Sequence, residues 1–299
     1  MGGRFGSVLT AMVTPFDDNG ALDLDRARDL ARLLADEGND GLVIAGTTGE
    51  APTLTDDEKL SLWAAVAEAV TIPVIAGSGS NDTGHSVHLT AEAAKLGIAG
   101  ILAVGPYYNR PSQAGMEAHF RAIAAAAPAL PVMLYDIPVR TGRKIATATL
   151  LKLCREVTNV VALKDAAGSP GDTAGFISTA PDIDVYSGDD ALTLPLLAVG
   201  AVGVVSVASH WTTPDQVEMF ALWEKGDTAG ARRINSQLVE SWAYETGEEA
   251  PNPVPTKAML RVVGRPVGQC RLPMGPEPDW LEPRAREVWA NLERARGTR

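Results

Sequence analysis

The chain has 299 residues, 45% of them hydrophobic and 21% charged, an ordinary globular composition with enough length to bury a large core. A net charge of -11 with no basic block argues against nucleic acid or an anionic membrane surface as partner. Cys154 and Cys270 lie far apart, and His85, His88, His119 and His210 form no ligand motif, so free thiols in a reducing compartment and no metal are expected. The apolar run from Val8 to Val13 is short and is soon followed by Asp17 and Asp18. Neither a signal peptide nor a membrane span is expected, and the protein reads as cytoplasmic.

Residues 8–13 read as a first strand, stopped by Thr14-Pro15, and Asp23 to Leu34 places Ala27, Leu30, Leu33 and Leu34 on one helical face. Gly38 fits a helix stop. Residues 41–46 form the next strand, with Thr47-Thr48-Gly49-Glu50 as its turn. Thr55-Asp56-Asp57-Glu58 is a capping box ahead of a helix through Leu62, Val66 and Val70. Further strands are expected at 73–77, 100–105, 131–135, 160–164, 184–187 and 203–207, with a helix ending near Gly97.

Strand and helix alternate, and the strands are continuous apolar runs, as in a parallel sheet covered on its outer face. The eight units match a (β/α)8 TIM barrel, α/β in class, with a C-terminal helical extension. A doubly wound open sheet would need a Gly-rich nucleotide loop. Thr14-Pro15-Phe16 is not one, and Gly77-Ser78-Gly79 lacks the third glycine and the acidic residue downstream.

Thr213 reads as an N-cap, with Pro214 at N1, Gln216 at N3 and Gly226 as the stop. Residues 229–244 are helical, and Pro251-Asn252-Pro253-Val254-Pro255 reads as a rigid extended connection before more helix. The expected division is a barrel over 1–227, carrying the active site, and an extension over 228–299. Trp223, Trp242, Trp280 and Trp289 are expected to pack against the barrel or another subunit.

Among Lys59, Lys95, Lys144, Lys152, Lys164, Lys225 and Lys257, only Lys164 ends an apolar strand, Val160-Val161-Ala162-Leu163-Lys164. A buried ammonium loses hydration, so its charged form is disfavoured and the neutral amine becomes a nucleophile for a carbonyl. A strand-end lysine paired with a carboxylate is the commoner case. The company of Lys164 decides between the two. In such a barrel the C-terminal strand ends face one pocket. They would bring Thr47, Thr48, Tyr107, Tyr108, Tyr135, Arg140, Gly188 and Val205 around Lys164. An amine, hydroxyl proton carriers and a guanidinium suit carbonyl chemistry on a small carboxylate. Asp165 should face away from Lys164, because successive strand side chains alternate.

These residues carry a specific resemblance. Gly46-Thr47-Thr48-Gly49-Glu50, Pro106-Tyr107-Tyr108-Asn109-Arg110-Pro111 and Leu134-Tyr135-Asp136-Ile137-Pro138-Val139-Arg140-Thr141-Gly142 resemble dihydrodipicolinate synthases, of the pyruvate-dependent lyase family. So do Leu163-Lys164-Asp165-Ala166, Tyr186-Ser187-Gly188-Asp189-Asp190, the 251–257 segment and Arg271-Leu272-Pro273-Met274, so that nearly the whole chain is covered. The resemblance implies condensation of pyruvate with aspartate 4-semialdehyde, with pyruvate held as a Schiff base on Lys164 and no separate cofactor. It implies Tyr135, Thr47 and Tyr108 as the proton relay, Thr48 on the pyruvate carboxylate, Arg140 on the semialdehyde carboxylate, and Gly188 and Val205 close by. It also implies a homotetramer, a dimer of dimers, with Tyr107 at the tight-dimer interface and Tyr108 reaching the neighbouring subunit's site. Lys164 would need a working pKa near 7–8, against about 10.4 unperturbed.

Asp136 and Asp165 stand where many of these proteins have Asn and Glu, and Ser209-His210 replaces a common Ala-Asn. Where lysine-inhibited members carry a glutamate and histidines, this chain has His85, Asp56 and Lys59, so weak or absent lysine feedback is expected. A sister aldolase of the same fold, N-acetylneuraminate lyase or a 2-keto-3-deoxy sugar acid aldolase, would share Lys164 and Tyr135. Thr47 and Arg140 favour the synthase. A non-catalytic pyruvate-binding barrel would be expected to lose the lysine or the relay.

Overall fold

The computed structural model describes residues 2–180 and 182–297. Eight parallel strands pair in chain order and the order closes on itself, β1-β2-β3-β4-β5-β6-β7-β8, which is the expected TIM-type barrel. They are β1 (Val8–Ala11), β2 (Gly41–Ile44), β3 (Val74–Gly77), β4 (Gly100–Val104), β5 (Val132–Asp136), β6 (Val160–Asp165), β7 (Asp184–Ser187) and β8 (Gly203–Ser206). Most of their side chains are buried, which is why the strands read as apolar runs and not as an alternation.

The chain divides into two compact units. One comprises the N-terminal segment to Ser7 together with Pro73–Val205. It holds β3 to β7, β8 as far as Val205, and helices α3 (Thr83–Ala93), α4 (Gln113–Ala126), α5 (Pro138–Thr141), α6 (Thr147–Glu156), α7 (Pro170–Ile177) and α8 (Thr193–Ala198). Its core includes Ile101, Met133, Leu134, Ala162, Val185, Phe120 and Ile123. The register sets Tyr135 beside Lys164 and Asp136 beside Asp165. The short helix α5 is not legible as a period, because four residues make a single turn.

The other unit comprises Val8–Ile72 and the chain from Ser206 onward. It holds β1, β2, α1 (Leu24–Asp36), α2 (Asp56–Ala69), α9 (Ser209–Glu224), α10 (Thr228–Tyr244), α11 (Val254–Val262) and α12 (Leu281–Arg296). The capping box forms as expected: Glu58 N–H donates to Thr55 Oγ1 (3.2 Å) and Thr55 N–H to Glu58 Oε2 (2.9 Å). Glu37 caps α1, and Gly38 follows it in the left-handed conformation (φ 101°), which a glycine adopts without strain.

Two expectations are corrected in this unit. Helix α9 starts at Ser209, not at Thr213, and Pro214 lies inside it. Thr213 is no cap: its hydroxyl donates to Ser209 O (2.5 Å) and accepts from Asn39 Nδ2 (2.8 Å). Pro214 cannot donate to the carbonyl of His210, and the Arg265 guanidinium takes that carbonyl instead (3.0 Å). The 251–255 segment is not extended throughout. Helix α11 already begins at Val254, and Pro255 sits in its first turn, where no N–H is required. Of the four late tryptophans only Trp242 is buried, and Trp280 is exposed. Among the described residues no helix is long and apolar enough to cross a membrane.

Candidate active site

Lys164 and Tyr135 are neighbours in the β5–β6 register, so both side chains project from the same face at the C-terminal strand ends. The Nζ of Lys164 lies 4.4 Å from the centroid of the Tyr135 ring. Lys164 is only 4% exposed, as is Tyr135. Gly188, just after β7, keeps this place open: a Cβ there would stand 3.0 Å from both Cγ and Cε of Lys164. Val205 on β8 is buried.

The two aspartates that follow these residues face the other way. Asp165 accepts from Ala167 N–H (2.9 Å) and from the Thr173 hydroxyl on α7 (2.5 Å). Asp136 accepts from Ile145 N–H (3.1 Å). Burial pushes the Asp136 carboxyl up to about 6; the Ile145 N–H opposes the rise and Asp165 adds to it.

Tyr107 and Tyr108 follow β4 in the loop before α4. Tyr107 is half-buried, and burial raises its phenol pKa. Tyr108 is 88% exposed and held at φ 68°. A non-glycine residue in that conformation costs about 1–3 kcal/mol, and such strain gathers at functional sites. Tyr108 therefore stands in solvent and is not packed into the buried cluster of Lys164 and Tyr135. Arg140 is also exposed, in the single turn of α5, which Ile137 and Gly142 cap.

In the other unit, Thr47 and Thr48 lie in the turn after β2. Ala45 (φ 56°) and Glu50 (φ 55°), both left-handed, bracket it. Gly49 is required here, since a Cβ would come within 3.0 Å of Ala45 N and Cα and 3.1 Å of Met12 O. The turn is fastened residue by residue. Thr14 Oγ1 donates to Gly49 O (2.6 Å), and Asn252 Nδ2 donates to Thr48 Oγ1 (3.0 Å). Lys257 Nζ lies 2.7 Å from Glu50 Oε1, and Arg271 N–H donates to Glu50 Oε2 (2.8 Å). Lys257 Nζ also lies 4.2 Å from the Phe16 ring centroid. Burial lowers the Lys257 pKa against the pull of Glu50, and pushes the Cys270 thiol up to about 12.

Asn252, Lys257 and Glu50 were legible only as parts of a resemblance; composition and periodicity gave them no role. A carboxamide between two prolines and a lysine in a largely apolar helix were the available signals. Lys59, expected in a regulatory cleft, is buried on α2, and burial lowers its pKa while Asp56 raises it. Among the described residues no group of three or more His, Cys, Asp or Glu could hold a metal.

Residues 4–287 match the model of the dihydrodipicolinate synthetase family. A 4-hydroxy-tetrahydrodipicolinate synthase from Synechococcus sp. (strain CC9605) is 50% identical over 273 residues, 90% of this chain and 89% of that one. Its counterpart from Bacillus subtilis (strain 168) is 46% identical over 276 residues, covering 91% of this chain and 94% of the relative. Among solved structures, a dihydrodipicolinate synthase from Cyanidioschyzon merolae with lysine bound superposes with a TM-score of 0.95 at 44% identity, covering 97% and 99% of the two chains. One from Bacillus anthracis gives 0.93 at 43% identity, covering 96% and 98%. With its family model, its relatives and its barrel in agreement, the chain belongs to the dihydrodipicolinate synthetase family.

Proposed function

We propose that this protein is a Schiff-base lyase that condenses pyruvate with L-aspartate 4-semialdehyde to 4-hydroxy-tetrahydrodipicolinate, on the route to diaminopimelate and lysine. The observation that carries the reading is the buried amine of Lys164 over the Tyr135 ring at 4.4 Å. The names of its relatives support the substrate pair.

The neutral amine of Lys164 attacks the keto carbon of pyruvate, and loss of water leaves an iminium. A methyl proton then departs and the electron pair settles in an enamine. The enamine carbon attacks the aldehyde. The amine of the semialdehyde displaces Lys164 as the ring closes. The covalent imine is itself the electron sink, so no separate cofactor takes part. Tyr135 and Thr47 carry protons in and out, joined by Tyr108 from a second copy of the chain. Thr48 holds the pyruvate carboxylate. Arg140 binds the semialdehyde carboxylate through charge-assisted hydrogen bonds. The protein assembles as a homotetramer, a dimer of dimers, and the exposed side chains of Tyr108 (88%) and Val139 (86%) support contact with a second copy. The enzyme works in the cytoplasm and responds weakly or not at all to lysine.

Borohydride reduction in the presence of pyruvate, followed by peptide mass mapping, tests the mechanism. A pyruvate-derived adduct on Lys164 is expected, and its absence would sink the reading. Initial rates with aspartate semialdehyde, set against sugar aldehydes, separate the synthase from its sister aldolases.

A further inference from the structure

We infer that Asn252 is a positioning residue for the keto-acid carboxylate, acting through Thr48. The inference rests on the role just proposed for Thr48. Asn252 Nδ2 donates to Thr48 Oγ1 at 3.0 Å, and Thr256 Oγ1 donates to Asn252 Oδ1 at 3.2 Å. All three residues are buried. An amide nitrogen only donates, so the Thr48 oxygen accepts here and its own proton is left for another acceptor. An ionised carboxylate is an acceptor only. The relay from Thr256 through Asn252 to Thr48 therefore sets the polarity of the Thr48 hydroxyl before substrate arrives. Pre-set donors need no reorganisation when the anion binds.

The same short segment also fixes where that hydroxyl sits. Lys257, next to Thr256 at the start of α11, pairs with Glu50, two residues beyond Thr48. Thr14 holds Gly49 between them. Thr48 is thus restrained in orientation by Asn252, and its turn is held in place by Lys257 and Thr14.

Asn252→Asp is the informative substitution. It keeps the shape but replaces the donor with an acceptor, so the Thr48 proton turns toward Asp and the substrate carboxylate meets a second negative charge. We expect KM for pyruvate to rise about tenfold or more, with kcat at saturation within about threefold and KM for aspartate semialdehyde unchanged. Thr256→Val should move pyruvate KM in the same direction by a smaller factor. In a Thr48→Val background, Asn252→Asp should add little.

Borohydride trapping of pyruvate against hydroxyacetone, a ketone without a carboxylate, gives a readout that a merely structural role would not move. Asn252→Asp should lose the preference for pyruvate while hydroxyacetone is still trapped on Lys164. A wild-type pyruvate KM and preference in that variant would overturn the inference. So would equal loss of both trapping reactions together with a lowered melting temperature. If the wild-type protein traps no pyruvate, the Schiff-base reading itself falls, and this inference with it.

Discussion

Lys257 Nζ lies 2.7 Å from Glu50 Oε1, with side-chain exposures of 1% and 0%. The pair joins the first turn of α11 to the turn that carries Thr47 and Thr48. Two charges removed from water cost much desolvation, which their attraction and their other hydrogen bonds offset. Here those bonds are Lys257 to Gln269 O (3.1 Å) and Arg271 N–H to Glu50 (2.8 Å). Lys257→Ala leaves a buried carboxylate unpaired, and we expect a loss of about 3–5 kcal/mol of stability. Glu50→Gln combined with Lys257→Met should retain more stability than Lys257→Ala alone. Urea unfolding of the three proteins measures the difference.

Tyr135→Phe keeps the ring beside the Lys164 amine and removes only the hydroxyl. We expect kcat to fall by about 10²–10⁴, the range for one positioned proton carrier. Borohydride should still attach pyruvate to Lys164. A variant with wild-type kcat would exclude the Tyr135 hydroxyl from the relay.

Arg140 is exposed, so Arg140→Ala should leave stability within about 0.5 kcal/mol of the parent. The loss should fall on the semialdehyde, whose KM rises about 10–100-fold when one charge-assisted contact is removed. Trapping of pyruvate on Lys164 should be largely retained. Steady-state kinetics with each substrate varied in turn, beside the trapping assay, reads both effects.

Asp136 makes the stability depend on pH in a definite direction. Its carboxyl titrates at about 6 in the folded protein, against about 3.9 in an unfolded chain. Between these values the folded state holds a proton that the unfolded state has lost, so stability falls as pH rises from about 4 to 6. Asp136→Asn keeps an oxygen for Ile145 N–H and removes this loss. It should stabilise the protein at pH 8 by at most about 3 kcal/mol, with the gain vanishing below about pH 4. His119 and His210, both lowered by burial to about 4, act oppositely in parent and variant alike: they bind protons on unfolding, so acidification below about 6.5 costs stability. Thermal melts of parent and variant across this range isolate the Asp136 contribution.

Sub-millimolar lysine should leave initial rates unchanged. The relative from Cyanidioschyzon merolae is a structure with lysine bound, which makes it the comparison to assay in parallel. Clear inhibition of the present protein would remove the argument from Lys59 and His85.

Much of the fold lay open in local patterns. Apolar runs of four to six residues form strands because both faces of each strand are covered, and Asp23, Thr55 and Gly38 bound helices through hydrogen bonds within a few residues. Lys164 was legible for the same reason: a cation at the end of an apolar run conflicts with its surroundings in the sequence itself. The alternation of strand side chains likewise separates Lys164 from Asp165.

Long-range partners settled the rest. Thr213-Pro214 carries every local mark of a helix start, yet α9 runs through it, because Arg265 takes up the carbonyl that proline leaves and Asn39 occupies the Thr213 hydroxyl. Tyr108 follows a strand end in the sequence, and only the folded loop shows it exposed, with a left-handed backbone. No periodicity joins Asn252 to Thr48 or Lys257 to Glu50. Those contacts span some two hundred residues of chain, and they exist because the folded backbone brings a donor and an acceptor together where water cannot compete. Residue type and spacing single out Lys164 and Tyr135, while the fastening of the turn that carries Thr48 arises from packing between distant segments.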